Sequence, residues 1–177
     1  MKSIKIAKIG INGEGIGYDN RVPVFIQGAL IDEVVDVGDI ETYPTYKKGV
    51  ALNIRNNNPH RKNPECPYQK DCGGCSLMIC DKSEQLSIKH DLVKEALMKY
   101  AKISADKIET PLASGKQMHY RNQCKLPVKW LKGTLQSGMY KAQTNHLIYM
   151  DECKVHEKEL DRVRKEIMKV LNRYEIR

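Results

Sequence analysis

The sequence predicts a chain in two parts, a small β-barrel followed by a mixed α/β region, with a cysteine loop between them. Three observations carry this. Apolar residues alternate with polar ones through the first 58 or so positions, broken by turn residues. After residue 81 the apolar residues recur at helical spacing, then return to strand-like runs. Between the two patterns, Cys66-Pro67-Tyr68-Gln69-Lys70-Asp71-Cys72-Gly73-Gly74-Cys75 places three thiols within ten residues.

In the first part, Ile4, Ile6, Ile9 and Ile11 are interleaved with polar residues and predict a strand. Gly13-Glu14-Gly15-Ile16-Gly17 breaks it. No helical repeat follows that glycine triplet, so it is a turn between strands and not a phosphate-binding loop. Val22 to Ile26 is the next strand, and Pro23 marks it as an edge. Glu33 to Val37 and the alternating Val50, Leu52 and Ile54 predict two more. Several short strands with turn signals between them predict a small barrel over residues 1–58.

Residues 59–80 are a linker and the cysteine loop. Asn56 to Pro64 has no periodicity and contains two prolines. Residues 81–177 form the second part. Asp81, with Glu84 three positions on, is a capping signature. It opens a helix whose apolar stripe is Leu86, Leu92, Val93, Ala96, Leu97 and Tyr100. Strands are expected over His119–Val128, Leu135–Tyr140 and Leu147–Tyr149, with Gly133 turning between the first two. A final helix runs from about Glu157 to Tyr174, with Leu160, Val163, Ile167, Val170, Leu171 and Tyr174 on one face.

The cysteine loop is rich in Pro, Gly and Asp and has no apolar face, so its thiols are there to bind and not to pack. The glycine pair is read as a tight turn that lets Cys72 and Cys75 converge. Cys153 supplies a fourth thiol. Four soft thiolates suit zinc or an iron–sulfur cluster, and the spacing alone leaves both open. Cys80 and Cys124 read as spare, packed thiols. His156, three residues after Cys153, is a weaker alternative ligand.

The 177 residues carry a formal net charge of +8, and the charge is segregated. No Asp or Glu occurs from Thr42 to Pro64, where Lys47 and Arg61 sit. None occurs from Thr110 to Met150 either, where Lys116, Arg121, Lys125 and Lys141 sit. Tyr120 and Tyr140 lie among these cations. Together these eight side chains are the candidate surface for a polyanionic, phosphate-bearing partner, since segregated cations neutralise phosphates. The start of the chain lacks the apolar core of a signal peptide, and no run is long enough to span a bilayer. Six cysteines without secretory features predict metal chemistry in the cytoplasm, with no membrane partner.

The series Cys66-Pro67, Cys72-Gly73-Gly74-Cys75, Gln85-Leu86, Ile88-Lys89, Tyr120-Arg121-Asn122, Gly138-Met139-Tyr140 and Asp151-Glu152-Cys153 resembles the RNA uracil-C5 methyltransferases, enzymes that make 5-methyluridine in 23S ribosomal RNA or transfer RNA. Gly15-Ile16-Gly17 and Val24 to Leu30 resemble the TRAM domain, an OB-like RNA-binding barrel that opens many of them. The resemblance implies a four-iron four-sulfur cluster on Cys66, Cys72, Cys75 and Cys153, and RNA as the partner, ribosomal or transfer. It implies a partial central α/β domain after the barrel. It also implies that S-adenosylmethionine and the catalytic groups belong to a Rossmann-like domain that these residues do not include. Methyl transfer therefore needs a separate methyltransferase domain, and the alternative is a free-standing RNA-binding module. Three positions depart from the family pattern without touching the thiols: Asp32 stands where glycine is usual, Ile79 where His is frequent, and Gln123 where Lys is frequent. Asp81 replaces a usual Ser cap and is equivalent as a cap.

Overall fold

The computed structural model describes residues 2–142 and 144–176. The chain forms two compact units that do not follow its order. One comprises Met1–Pro64 with Ser76–Ala113, the other Glu65–Cys75 with Ser114–Arg177. The helix expected to open the second part thus groups with the barrel, while the cysteine loop groups with the later strands.

In the first unit, β1 (Lys2–Ile9), β2 (Gly15–Asp19), β3 (Val22–Gln27), β4 (Val34–Thr42) and β5 (Lys47–Asn56) close into a barrel of order β1-β2-β3-β5-β4. All pairs are antiparallel except β3 with β5. This is an OB-like arrangement. Ile4, Ile6, Val24, Ile26, Val35 and Val37 fill the interior. Ile11, expected with them, is exposed, because β1 ends at Ile9.

The glycine segment 13–17 is only partly a turn, since β2 begins at Gly15. A side chain at Gly17 would stand 2.5 Å from the Lys5 carbonyl oxygen, so glycine there permits the close β1–β2 approach. Asn20 and Arg21 both take positive φ and form the two-residue turn into β3. Pro23 pairs with Tyr18 but precedes the stretch paired with β5, which begins at Val24. Asp32, at a position where glycine was expected, has φ 63°, a conformation that Asp tolerates better than most residues.

On β5 the alternation holds for Ile54, which packs against the core, but not for the two residues before it in the pattern. Val50 and Leu52 point outward, while Gly49 and Ala51 occupy the inner positions. The reason is steric: a Cβ at Gly49 would meet Val37 Cγ1 at 2.4 Å, so the inner face has no room for a branched residue. Leu52 instead lies over Gly38 on the outer surface.

Beyond the barrel, α1 (Lys82–Ala96) is capped by Asp81, whose carboxylate accepts the Glu84 N–H at 2.9 Å. A π-helical turn over Leu97–Ala101 continues it and closes on Lys102 at positive φ. Ile88 is its buried residue, with Leu92 packed beside it; Val93 and Tyr100, expected inside, are exposed.

The second unit holds β6 (Val128–Leu131), β7 (Thr134–Tyr140) and β8 (Leu147–Tyr149) in an antiparallel sheet of that order, with α2 (Lys158–Arg173) against β7. Lys132-Gly133, both at positive φ, make the expected turn between β6 and β7. The strand predicted over His119–Val128 does not form as such; only Val128 joins β6. His119 has φ 51°, and residues 119–121 hydrogen-bond to the 154–157 segment instead: the His119 N–H reaches the Lys154 carbonyl and the Arg121 N–H the Val155 carbonyl, each at 2.9 Å. Among the described residues, no helix is long and apolar enough to cross a membrane.

Candidate functional site

The second unit gathers the cysteines. Cys66, Cys72, Cys75 and Cys153 are all half-buried and unbridged. Burial pushes the Cys75 thiol up to about 11, and Cys153, Cys72 and Cys66 add to the shift as neighbouring negative charges. The Cys72 thiol is raised by burial and by Cys153 and Cys66, against the lowering effect of a hydrogen bond from the Gly74 backbone. Four thiols separated by up to 87 positions thus share one electrostatic neighbourhood. Among the described residues, however, no three His, Cys, Asp or Glu side chains converge as ligands of one metal ion would.

The glycine pair lies in a turn, as expected. Neither Gly73 nor Gly74 takes positive φ. A Cβ at Gly73 would stand 3.2 Å from Ala142 Cα, a tight approach, and one at Gly74 would make an ordinary contact with Cys72 Sγ at 3.4 Å. The glycines bring the loop close to residue 142 and leave space around a sulfur. The loop is fixed there by the Ala142 N–H, which donates to the Asp71 carbonyl at 3.1 Å, and by a bridge between Cys72 and Lys141.

Cys153 is held from α2. Its N–H donates to Asp161 Oδ2 at 2.8 Å. Arg164 donates to Asp161 Oδ1 at 3.1 Å, to Ser137 Oγ at 3.1 Å and to the Asp151 carbonyl at 2.5 Å. His156 packs here with Nδ1 buried, unpartnered and 3.6 Å from Asp161. Periodicity does not reveal this network, because Asp161 and Arg164 look like ordinary exposed charges of an amphipathic helix.

Beside the cysteine loop lies an open pocket of about 470 Å³. Three of the eight predicted RNA-binding residues, Lys125, Tyr140 and Lys141, line it together with Gly73, Met139 and Asn145. Lys129 Nζ stands 5.0 Å from the centre of the Tyr140 ring and donates to the Asn145 carbonyl at 2.8 Å. Lys141 also lies 3.7 Å from Asp71 of the loop. Met139 belongs to the Gly138-Met139-Tyr140 motif singled out in the sequence, whereas Asn145 had no sequence signal.

The other five residues are dispersed. Tyr120 and Arg121 are exposed, and the Arg121 charge acts on Cys75. Lys116 is exposed on a loop. Two cations of the barrel unit are already occupied. Lys47 is 2.8 Å from Asp19, which it shares with Lys2, and burial of the Lys47 side chain leaves it only 25% exposed. Arg61 binds Glu33 through Nε at 2.5 Å and Nη2 at 2.8 Å, and reaches the Gly28 carbonyl. Glu33 is fully buried, so this pair ties the linker to the barrel.

Cys80 and Cys124 are poor nucleophiles as placed. Burial pushes Cys80 up to about 11, and Cys124 is raised by burial and by the nearby Asp161 carboxylate.

An OB-like barrel with a thiol-bearing α/β unit and a cation-lined pocket is the class defined so far. No protein-family model matches the chain. An uncharacterized RNA methyltransferase of Bacillus anthracis is 34% identical over 174 residues, which are 98% of this chain and 38% of that protein. One of Enterococcus faecalis is 31% identical over 176 residues, 98% of this chain and 39% of its own. The fold is shared with the crystal structure of the Pyrococcus abyssi tRNA (uracil-54, C5)-methyltransferase in complex with S-adenosyl-L-homocysteine: TM-score 0.66, 18% identity, 98% of this chain and 37% of that one. Over 98% of its length the chain is thus similar to one part of proteins named RNA methyltransferases. It spans about two fifths of the length of the curated relatives it matches.

Proposed function

We propose that the chain is the N-terminal RNA-recognition and iron–sulfur portion of an RNA uracil-C5 methyltransferase of the cytoplasm, acting on 23S ribosomal RNA. The observation that carries this reading is the pocket in which Lys125, Tyr140 and Lys141 meet Gly73 of the cysteine loop. The two lysines neutralise phosphates and the Tyr140 ring offers a face to an unpaired base. The loop sets one wall of that pocket, so binding metal and presenting RNA are functions of one piece of structure.

Cys66, Cys72, Cys75 and Cys153 are the proposed cluster ligands. The donor set fits: it is all sulfur, half-buried, supplied with an N–H at Cys72 and a positive charge at Arg121. In a cubane each thiolate binds a different iron, so its ligands stand further apart than the four ligands of one zinc ion. An all-thiolate set of this kind also suits zinc, and it is the family resemblance that favours the cluster. When bound, the cluster would join the loop to residue 153, which is distant in sequence, and stabilise the unit by removing chain entropy.

Methylation at C5 of uracil requires a nucleophile for C6, a base for the C5 proton and a bound methyl donor. The thiols outside the proposed cluster set are Cys80 and Cys124, and both are held protonated at neutral pH. These 177 residues therefore recognise RNA, and S-adenosylmethionine and the chemistry belong to a further methyltransferase domain. A filter assay with labelled S-adenosylmethionine and unmodified 23S and transfer RNA transcripts tests this. The expected result is RNA retention without label by this chain, and label on ribosomal RNA once the further domain is supplied. Label from the 177 residues by themselves contradicts the assignment. Label on transfer RNA only changes the substrate, and RNA retention with no label in either arm favours a free-standing binding module.

A further inference from the structure

Helix α2 has one flank turned to its own unit, where Leu160, Arg164, Met168 and Leu171 are sheltered and Asn172 bonds both backbone polar groups of Leu135. A second flank is polar and self-sufficient: Arg162 pairs with Glu159 and Lys169 with Glu166, one turn apart. The third carries Val163, Ile167, Val170 and Tyr174, spaced four, three and four residues apart and so stacked on one face. They are 47%, 52%, 52% and 68% exposed. Four large side chains in line over three turns form an apolar strip, with the Arg173 guanidinium 5.9 Å from the centre of the Tyr174 ring at its end. Sequence periodicity places them in the core with Leu160 and Leu171, but the three-stranded sheet of this unit is too small to cover them. Scattered apolar residues on a surface need no explanation, but a contiguous strip marks a contact face.

The relatives indicate the occupant. Their matched stretch is 38% and 39% of their length, so about three fifths of each relative is further polypeptide. We infer that the Val163–Ile167–Val170–Tyr174 strip of α2 is the seat on which that further part of an RNA methyltransferase docks, through an apolar face of its own. The inference rests on the proposed role of the chain as one portion of such an enzyme. It adds the surface by which the portions are held together, distinct from the pocket side chains Lys125, Tyr140 and Lys141.

The test is co-expression of the tagged chain with the part of the Bacillus anthracis relative outside the matched residues. The expected result is recovery of the two in equal amounts. Ile167→Glu with Val170→Glu should lower recovery at least ten-fold, and Lys169→Glu, on the polar flank, should leave it unchanged. Unaltered circular dichroism shows that the variant chain has folded; if the double substitution fails this check, Val163→Ser takes its place with the same expected direction. No recovery with the wild-type chain overturns the inference, as does recovery indifferent to these substitutions. A wild-type chain that sediments as a dimer, becomes monomeric on Ile167→Glu and recovers no relative segment also overturns it, by making a second copy the occupant. RNA retention is measured on the same preparations. Its loss in the wild-type chain strikes the RNA-recognition reading, whereas failed co-purification with RNA retention intact strikes only the docking face.

Discussion

The Cys153 backbone N–H donates to Asp161 Oδ2 at 2.8 Å, so the first turn of α2 holds the one of the four proposed ligand thiols that comes from outside the cysteine loop. Asp161 is itself gripped by Arg164, and the two side chains are only 9% and 11% exposed. Removing the carboxylate would strand a buried guanidinium and free the backbone at residue 153. Asp161→Ala should therefore cost about 3 kcal/mol, the scale for breaking a buried ion pair. It should also lower the iron retained after anaerobic purification from about four per chain, the content of a cubane. Asp161→Asn, which keeps an acceptor for the Cys153 N–H, should retain more iron than Asp161→Ala. Equal iron in all three proteins would show that this hydrogen bond does not position Cys153.

Arg61 illustrates how a cation can be committed inside its own fold. Its guanidinium is bound to the fully buried Glu33 and to Gly28, so it stabilises the barrel unit. Arg61→Met leaves Glu33 buried and unpaired, at a cost of about 3–5 kcal/mol. The check is urea unfolding together with RNA binding in a range where the variant is still folded. The expected outcome is a lower midpoint with the salt slope of binding unchanged; a shallower slope would make Arg61 a phosphate contact after all.

His60 and Asp81 couple the start of α1 to pH. The Asp81 carboxylate is held low by the Glu84 N–H, the Ser83 hydroxyl and His60, in that order. His60, ordinarily near 6.5, is raised by its hydrogen bond to Asp81 at 2.9 Å. A raised histidine contributes stability that is full below about 6.5 and is lost as pH rises through the folded value. A lowered carboxylate contributes above its ordinary value near 4 and loses that contribution as pH falls toward its folded value. The pair is therefore at its strongest between those limits. His60→Asn should lower the urea midpoint more at pH 5.5 than at pH 8.5, by a small amount because both groups are half-exposed. A larger effect at pH 8.5 would reverse the sign of this coupling.

Much of the barrel was legible because Ile4, Ile6, Val24 and Ile26 obey the two-residue period of strands with one buried face. The outward turn of Val50 and Leu52 on β5 was not, because it depends on Gly49, whose lack of a side chain is dictated by Val37 on the neighbouring strand. Periodicity also cannot distinguish a stripe that packs from one that awaits a partner, as Val163 and Ile167 on α2 show. The four thiols were legible as a set, and Lys125, Tyr140 and Lys141 as cations and an aromatic in an acid-free stretch. Their meeting with Gly73 was not, since it depends on the backbone bond between Ala142 and Asp71. Tyr120 and Arg121 were misplaced on a strand because the positive φ of His119 arises from contacts with residues 154–157 that lie far along the chain.

The measurement that bears most directly on the proposed function is the salt dependence of RNA binding, with Lys125→Ala and Lys141→Ala introduced together. Each lysine that neutralises a phosphate of single-stranded RNA contributes about 0.7 to the slope of log K against log salt concentration, so the double variant should bind more weakly with a slope shallower by about 1.4. Changing Tyr140→Leu should weaken binding while leaving the slope in place, because stacking releases no counterions. Affinity and slope both unchanged in the lysine variant would contradict the account, by showing that the pocket beside the cysteine loop is not where RNA binds.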